Sequence, residues 1–335
     1  MTRFDFELRK PDDMHIHLRQ GPNLKNYVED CIPYFGKILV MPNTVPPISN
    51  AIILKKYKKQ IQSFAPNMTP LMTFKLKASM GTEEIDILKK AGAVAGKLYP
   101  AGATTNSADG ITDVKRIYAL LEHMQAKDLV LSVHAEDPDA FCLDRESVYL
   151  EKIKDIADHF PKLKIIIEHL SCRQAVEYVQ EAPEKIAATI SVHHLLLTLN
   201  DILGASFNPH HFCKPIAKTP EDRKAIMQAA FSGNPKFFLG TDSAPHLKAS
   251  KETAAGQAGI YTAPVAIPLL ISIFEKAGKL EMLENFTSQF GSAFYELEQN
   301  QATISFKRED WSVPELMHGV VPFFAGKKIS WKLAD

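Results

Sequence analysis

Six side chains able to do acid–base or metal chemistry stand where apolar runs of the sequence end: His15, His17, Lys97, His134, His169 and Asp242. The first pair is a His-Ile-His step. On an extended strand, residues two apart point to the same face, so both imidazoles would project together. His134 closes Ser-Val-His-Ala-Glu, His169 closes Ile-Glu-His, and Asp242 opens Asp-Ser-Ala-Pro-His after Gly-Thr. One such histidine alone reads as a satisfied core residue. Burying four histidines, a lysine and an aspartate together without a ligand would be costly. Nitrogen and carboxylate donors without cysteine suit zinc, and an open coordination position would make the site catalytic. Lys97 is the odd member, because an ammonium has three donors and no lone pair. Deprotonated and condensed with carbon dioxide, it becomes a carbamate whose two oxygens can bridge two metals. Two Zn²⁺ against a carbamate, Asp242 and a hydroxide leave one positive charge, which suits an anionic substrate.

Further residues read as substrate handles. Arg19 lies two positions beyond His17, on the same strand parity, and could form a bidentate fork to a carboxylate. Asn43, in Met-Pro-Asn-Thr, and His246 stand at neighbouring strand ends. Beyond Lys97, residues 101–107 (Ala-Gly-Ala-Thr-Thr-Asn-Ser) are small and polar, as a mobile lid carrying the Thr104 and Thr105 hydroxyls would be. The pairs His193–His194 and His210–His211 would point apart in extended chain and read as structural or supporting. His123, His159 and His318 fall in helical or tail contexts and read as surface residues.

Such groups need a frame that brings distant strand ends together. Strand-like runs end at His15–His17 and cover Lys37–Met41, Thr69–Leu76, Val94–Tyr99, Asp128–His134, Leu163–His169, Ala187–Ser191 and Lys236–Thr241. Between them, apolar residues recur at three- and four-residue steps in Asn50–Phe64, Thr82–Ala91, Thr112–Ala126, Ser171–Glu181 and Pro220–Phe231. Eight strands alternating with helices predict an α/β chain folded as a (β/α)8 TIM barrel, with the metal site at the C-terminal strand ends. An open doubly wound sheet is the rival, but no G-x-G-x-x-G follows an early strand. Helices are expected near Ala263–Lys276 and Leu283–Glu296. The whole chain, 1–335, reads as one barrel domain, with an irregular or short-stranded tail from about residue 302 packing across it. At 335 residues, 45% hydrophobic and 23% charged, the composition is that of a globular protein. Lysine plus arginine equals aspartate plus glutamate at 39 each, which excludes a global polycation for nucleic acid or anionic membrane. Cys31, Cys142, Cys172 and Cys213 form no CxxC pair and read as reduced thiols. The charged opening MTRFDFELRK lacks a secretory apolar core, so the expectation is a cytoplasmic protein.

Asp13–Arg19 (DMHIHLR), Met41–Thr44, Gly96–Pro100 followed by Ala103–Ser107, Val133–Glu136, Glu168–His169 and Gly240–His246 resemble dihydroorotases of the short bacterial type, in the amidohydrolase superfamily. The resemblance runs in order along nearly the whole chain, and HxHLR with the KLYPA-x-ATTN run is highly specific. It implies two zinc ions bridged by carboxylated Lys97, one also held by His15, His17 and Asp242, the other by His134 and His169. Arg19, Asn43 and His246 would hold a substrate carboxylate, and Thr104 and Thr105 would close over the ligand. His134, the backbone of Phe212–Pro215 at Lys214, and Ala258 would also contact it. Lys214 stands where the family usually has an apolar residue. The implied reaction interconverts N-carbamoyl-L-aspartate and L-dihydroorotate in pyrimidine synthesis, with Asp242 moving the proton, in a homodimer acting on a small molecule. A hydantoinase or allantoinase shares the metal cage, but its substrates lack the carboxylate that Arg19, Asn43 and His246 would bind. A non-catalytic scaffold should have lost ligands, and none is missing.

Overall fold

The computed structural model describes residues 5–334; Met1–Phe4 and Asp335, the ends of the opening segment and of the tail discussed above, lie outside it. Eleven strands occur among the described residues. Three, β1 (Phe6–Arg9), β10 (Thr303–Ser312) and β11 (Lys328–Leu333), form an antiparallel sheet in the order β1-β10-β11. The other eight run parallel in sequence order: β2 (Asp12–Ile16), β3 (Lys37–Val40), β4 (Thr69–Lys75), β5 (Ala93–Leu98), β6 (Val130–Val133), β7 (Ile165–Ile167), β8 (Ile186–Ile190) and β9 (Phe237–Leu239). The last strand returns to the first. Asp242 N donates to His15 O at 2.8 Å, and His17 N donates to Ser243 O at 2.9 Å. This is a (β/α)8 barrel.

Alternation along the strands separates two apolar cores. Met14, Leu39, Met41, Leu71, Ala95, Val130, Ile166, Ala187 and Phe238 point inward and fill the barrel. Ile38, Val40, Leu131, Ile165, Ile167 and their equivalents point outward, under the helices. Each fully buried aliphatic side chain contributes about 2 kcal/mol, so the barrel wall is stabilised from both faces. The helices follow their sequence signals. In Ala51–Phe64 the buried residues are Leu54, Tyr57 and Ile61, a three-and-four spacing, and the Asn50 side chain caps the start by accepting from Ile53 N at 3.0 Å. At Pro220–Phe231, Thr219 and Asp222 form a reciprocal capping box. Helix Arg145–His159 links β6 to β7 and was not singled out by its pattern.

Two stretches differ from expectation. Residues 283–296 are a π-turn (Asn285–Gln289) and a short helix (Phe290–Phe294), not one regular helix. Here the chain plugs the bottom of the barrel: a Cβ on Gly291 would lie 2.7 Å from Met14, and Phe290 and Phe294 join the interior core. The tail is also more regular than predicted. The charged run Lys307–Asp310 lies within the ten-residue β10, where exposed positions of a sheet tolerate charge. Its partner β11 lies against helix Ala266–Lys276, with Trp331 Nε1 donating to Glu275 at 3.1 Å.

Candidate active site

At the C-terminal ends of the strands four imidazoles form an arc. Ring centroids step from His17 to His15 (5.2 Å), to His169 (5.0 Å), to His134 (4.9 Å). Their neighbours settle which nitrogen carries the proton. His17 Nδ1 is 2.8 Å from Asn43 Oδ1, an acceptor, so its Nε2 lone pair is free. His15 Nδ1 sits 2.8 Å from Glu168 Oε2, which leaves His15 Nε2 likewise free. Both Nε2 atoms face Asp242 Oδ1, at 3.2 Å from His17 and 3.5 Å from His15. His134 Nε2 points at Glu136 Oε2 (2.7 Å), so its Nδ1 lone pair looks toward His169 Nε2 at 3.2 Å. Carboxylates and an amide thus aim the lone pairs of His15, His17 and His134 inward, the usual device for orienting metal-binding imidazoles. His15, His17 and Asp242 offer ligand atoms all within 4.8 Å of one another.

Lys97, on β5, is fully buried and its Nζ has no hydrogen-bond partner. The nearest carboxylate, Glu168 Oε1, is 3.9 Å away, and the Tyr99 ring centroid 5.4 Å. Burial lowers Lys97 to about 8, against the opposing pull of Glu168 and Asp242. An amine in that state is accessible as the neutral nucleophile that carbon dioxide requires. Desolvation pushes His17 and His169 well below the ordinary histidine range, with Arg19 contributing at His17 and His134 at His169. Neutral imidazoles are what a metal needs. Burial also raises Asp242, partly offset by His15. At Glu168 burial would raise the carboxyl, but His15 and Lys97 outweigh it and hold it near 2.

The cavity above this floor is lined by His15, His17, Arg19, Asn43, Thr104 and Thr105 on one side. His134, His169, Lys214, Asp242 and Ala258 complete it, with Tyr99, Ala244 and Gly259. Lys97 lies beneath and His246 behind Arg19, their Nε2 and Nη2 atoms 2.8 Å apart. All thirteen residues singled out in the sequence therefore gather at one place. Burial would raise the Glu136 carboxyl, but the His134 contact outweighs it and lowers the group, with lesser help from Lys218 and Lys214. The loop after β5 is tied down: Asn43 Nδ2 donates to Thr105 O (3.2 Å), Asn106 Nδ2 to Asn43 O (2.9 Å), and buried Lys75 Nζ to Asn106 O (2.8 Å), with Lys75 also paired to Asp109.

His15 and His17 do project together as expected, their Nε2 atoms 3.3 Å apart, although β2 ends at Ile16 after a register shift between Asp13 and Ile16. Two other geometric expectations need correction. Arg19 lies beyond the strand and is aimed by a left-handed backbone (φ 57°), a conformation it shares with His169 (φ 44°) and Asp242 (φ 47°). Non-glycine residues held there store strain, which clusters at functional sites. His193 and His194 are not extended but lie on a short helix, Val192–Leu196, and His193 Nε2 comes within 3.9 Å of Asp242 Oδ2. Glu168, Glu136, Asp13 and Lys75 had no assigned role. For the three acids the available signal was a carboxylate one or two residues from a chemically loaded histidine; Lys75 had none.

No family model matches the chain. The dihydroorotase of Teredinibacter turnerae is 46% identical over 336 residues, 97% of this chain and 98% of that one. The crystal structure of Saccharomyces cerevisiae dihydroorotase in complex with 5-fluoroorotic acid superposes with a TM-score of 0.92 at 34% identity, over 99% of this chain and 98% of that one. The L-hydantoinase of Arthrobacter aurescens, at 16% identity and TM-score 0.84 over 98% of this chain and 83% of that one, shares the fold alone.

Proposed function

Because the chain belongs to the dihydroorotase family of amidohydrolases, we propose that its barrel-mouth site interconverts L-dihydroorotate and N-carbamoyl-L-aspartate, the ring-forming step of pyrimidine synthesis. This is hydrolysis of a cyclic amide C–N bond and its reversal. The family is metal dependent; His15, His17 and Asp242 stand close enough together to hold one ion, and His134 Nδ1 and His169 Nε2, 3.2 Å apart, offer two donors for a second. His15, His17 and Asp242 would hold one, His134 and His169 the other, and a carbamate on Lys97 would bridge them. Zinc suits these donors. When bound, the ions polarise the ring carbonyl and make water nucleophilic at neutral pH.

The remaining work falls to the protein's own groups. Arg19, with Asn43 and His246, holds the substrate carboxylate; the second N–H of Asn43 Nδ2 and the guanidinium fork are its donors. Asp242 accepts the proton of the attacking water and returns it to the leaving ring nitrogen, and cyclisation runs the transfer backwards. Thr104 and Thr105 close over the ligand and exclude bulk water, while the backbone at Lys214 and Ala258 borders the ring. The resemblance carries the further proposals of one barrel domain spanning the chain, a homodimer and a cytoplasmic location. Among the described residues no helix is long and apolar enough to cross a membrane.

The observation that carries the metal-bridge reading is the buried, partnerless Lys97 Nζ beside the arc of four imidazoles. The test is metal content together with loss of dihydroorotate absorbance. Protein that binds two zinc ions and opens the ring supports the reading; zinc-loaded protein inert toward dihydroorotate overturns it.

A further inference from the structure

Lys251 ends the short helix Lys248–Lys251 and is buried, with 2% of its surface exposed. No carboxylate is among its ammonium's partners. All three N–H bonds go to backbone carbonyls: Phe212 O at 3.2 Å, Gln257 O at 3.0 Å, and Gly259 O. A buried ammonium is costly unless its donors are satisfied, so this arrangement fixes three carbonyls relative to one point.

Those carbonyls belong to two segments that border the cavity. Phe212 begins the stretch containing Lys214, and Gln257 and Gly259 flank Ala258; Lys214, Ala258 and Gly259 all line the pocket. The segments also touch directly, Gly259 N donating to Phe212 O at 2.9 Å. Ala258 O lies 3.0 Å from His246 Nε2, which in turn meets Arg19. Gly259 has no slack: at φ 146° a Cβ there would lie 2.6 Å from Ala244 O. The Lys251 ammonium therefore holds the two segments together on either side of Ala258, whose carbonyl meets His246.

We propose that Lys251 is a positioning residue that braces the Phe212–Pro215 and Gln257–Gly259 segments into one wall of the substrate pocket. This rests on the dihydroorotase reading of the site. Lys251 touches neither the reacting atoms nor the metal ligands, so its loss acts on substrate capture rather than on the chemical step.

The test compares Lys251→Met with wild type and with Lys248→Met, an exposed lysine on the same helix, all as zinc-loaded full-length protein. For dihydroorotate opening, Lys251→Met should raise KM at least tenfold with kcat within threefold and zinc content unchanged; Lys248→Met should change neither constant. Amide exchange across residues 256–260 should quicken at least tenfold in Lys251→Met, while β6 exchanges as before. A KM within twofold of wild type, or unchanged exchange at 256–260, overturns the brace. Should Lys251→Met fail to fold, Lys251→Ala prepared with propylammonium chloride decides: amine-dependent recovery of KM supports the brace and its absence overturns it. If wild type itself does not open dihydroorotate, the functional reading falls, and the exchange result still decides for or against the brace.

Discussion

Replacing Lys75 with methionine should loosen the loop over the active site without touching the metals. Lys75 ends β4 and is buried, and its ammonium donates to Asn106 O at 2.8 Å and pairs with Asp109. The two contacts differ in worth. Asp109 is 55% exposed, so water screens that pair and it contributes well under 1 kcal/mol. The bond to Asn106 O is charge-assisted and originates inside the protein, worth about 1.5–3 kcal/mol. Methionine keeps the length and apolar stem of lysine and removes only the ammonium, including its long contact with the Tyr99 ring at 6.0 Å. The reciprocal bonds between Asn43 and residues 105–106 remain, so the loop weakens rather than detaches. A net loss of about 2 kcal/mol shifts the closed-to-open ratio roughly 30-fold. The expected result is a 10- to 30-fold fall in kcat/KM for dihydroorotate opening, faster amide exchange over residues 101–111, and unchanged zinc content. Lys77→Met, which loses only a 3.5 Å contact with exposed Asp109, should cost less than threefold. If Lys75→Met left both loop exchange and kcat/KM within twofold of wild type, the latch would not exist.

Lys97→Ala should remove the bridge, so zinc content and activity fall together, with at least a thousandfold loss of turnover, about 4 kcal/mol in barrier; near-native turnover with two tightly held zincs would contradict the carbamate. Arg19→Gln should leave zinc stoichiometry intact and cost about 2–5 kcal/mol in kcat/KM for dihydroorotate, read by steady-state kinetics. His194 gives a stability prediction. Burial, aided by Lys218, holds it near 4 against an ordinary 6.5, so the folded state binds its proton less readily than the unfolded chain. Its contribution is present above pH 6.5 and is lost as pH falls from 6.5 toward 4, about 3 kcal/mol in all. Urea unfolding at several pH values should therefore show wild type losing about that much more than His194→Gln over the window, and parallel curves would refute it.

The barrel was legible because its signals are local. Runs such as KILV at β3 and III at β7 have too few polar positions for a one-sided sheet, and the helices between them carry their caps in sequence, as at Asn50 and Thr219. Segments answering to shape rather than pattern were not legible. Residues 283–296 have an apolar periodicity that suits a helix, but Gly291 must pass against Met14 under the barrel, and the chain takes a π-turn to do so.

The site divides in the same way. Residue types that bind metals announce themselves, so His15, His17, Lys97, His134, His169 and Asp242 could be read from strand ends. What aims them could not. Alternation accounts neither for Arg19, which a left-handed backbone aims, nor for the closing of β9 back onto β2 beside His15. Asp13 illustrates the closure. Its carboxylate accepts from Thr241 N at 2.8 Å and from Thr241 Oγ1 at 2.6 Å, across 228 positions of sequence. The same carboxylate receives His15 N at 3.1 Å. Burial raises Asp13 to about 7 despite these donors. One side chain thus ties the backbone of His15 to the residue preceding Asp242, and the two ends of the barrel meet where two of the proposed ligands of one metal must stand. Such a tie has no local sequence signal, because it exists only once the eighth strand has found the first.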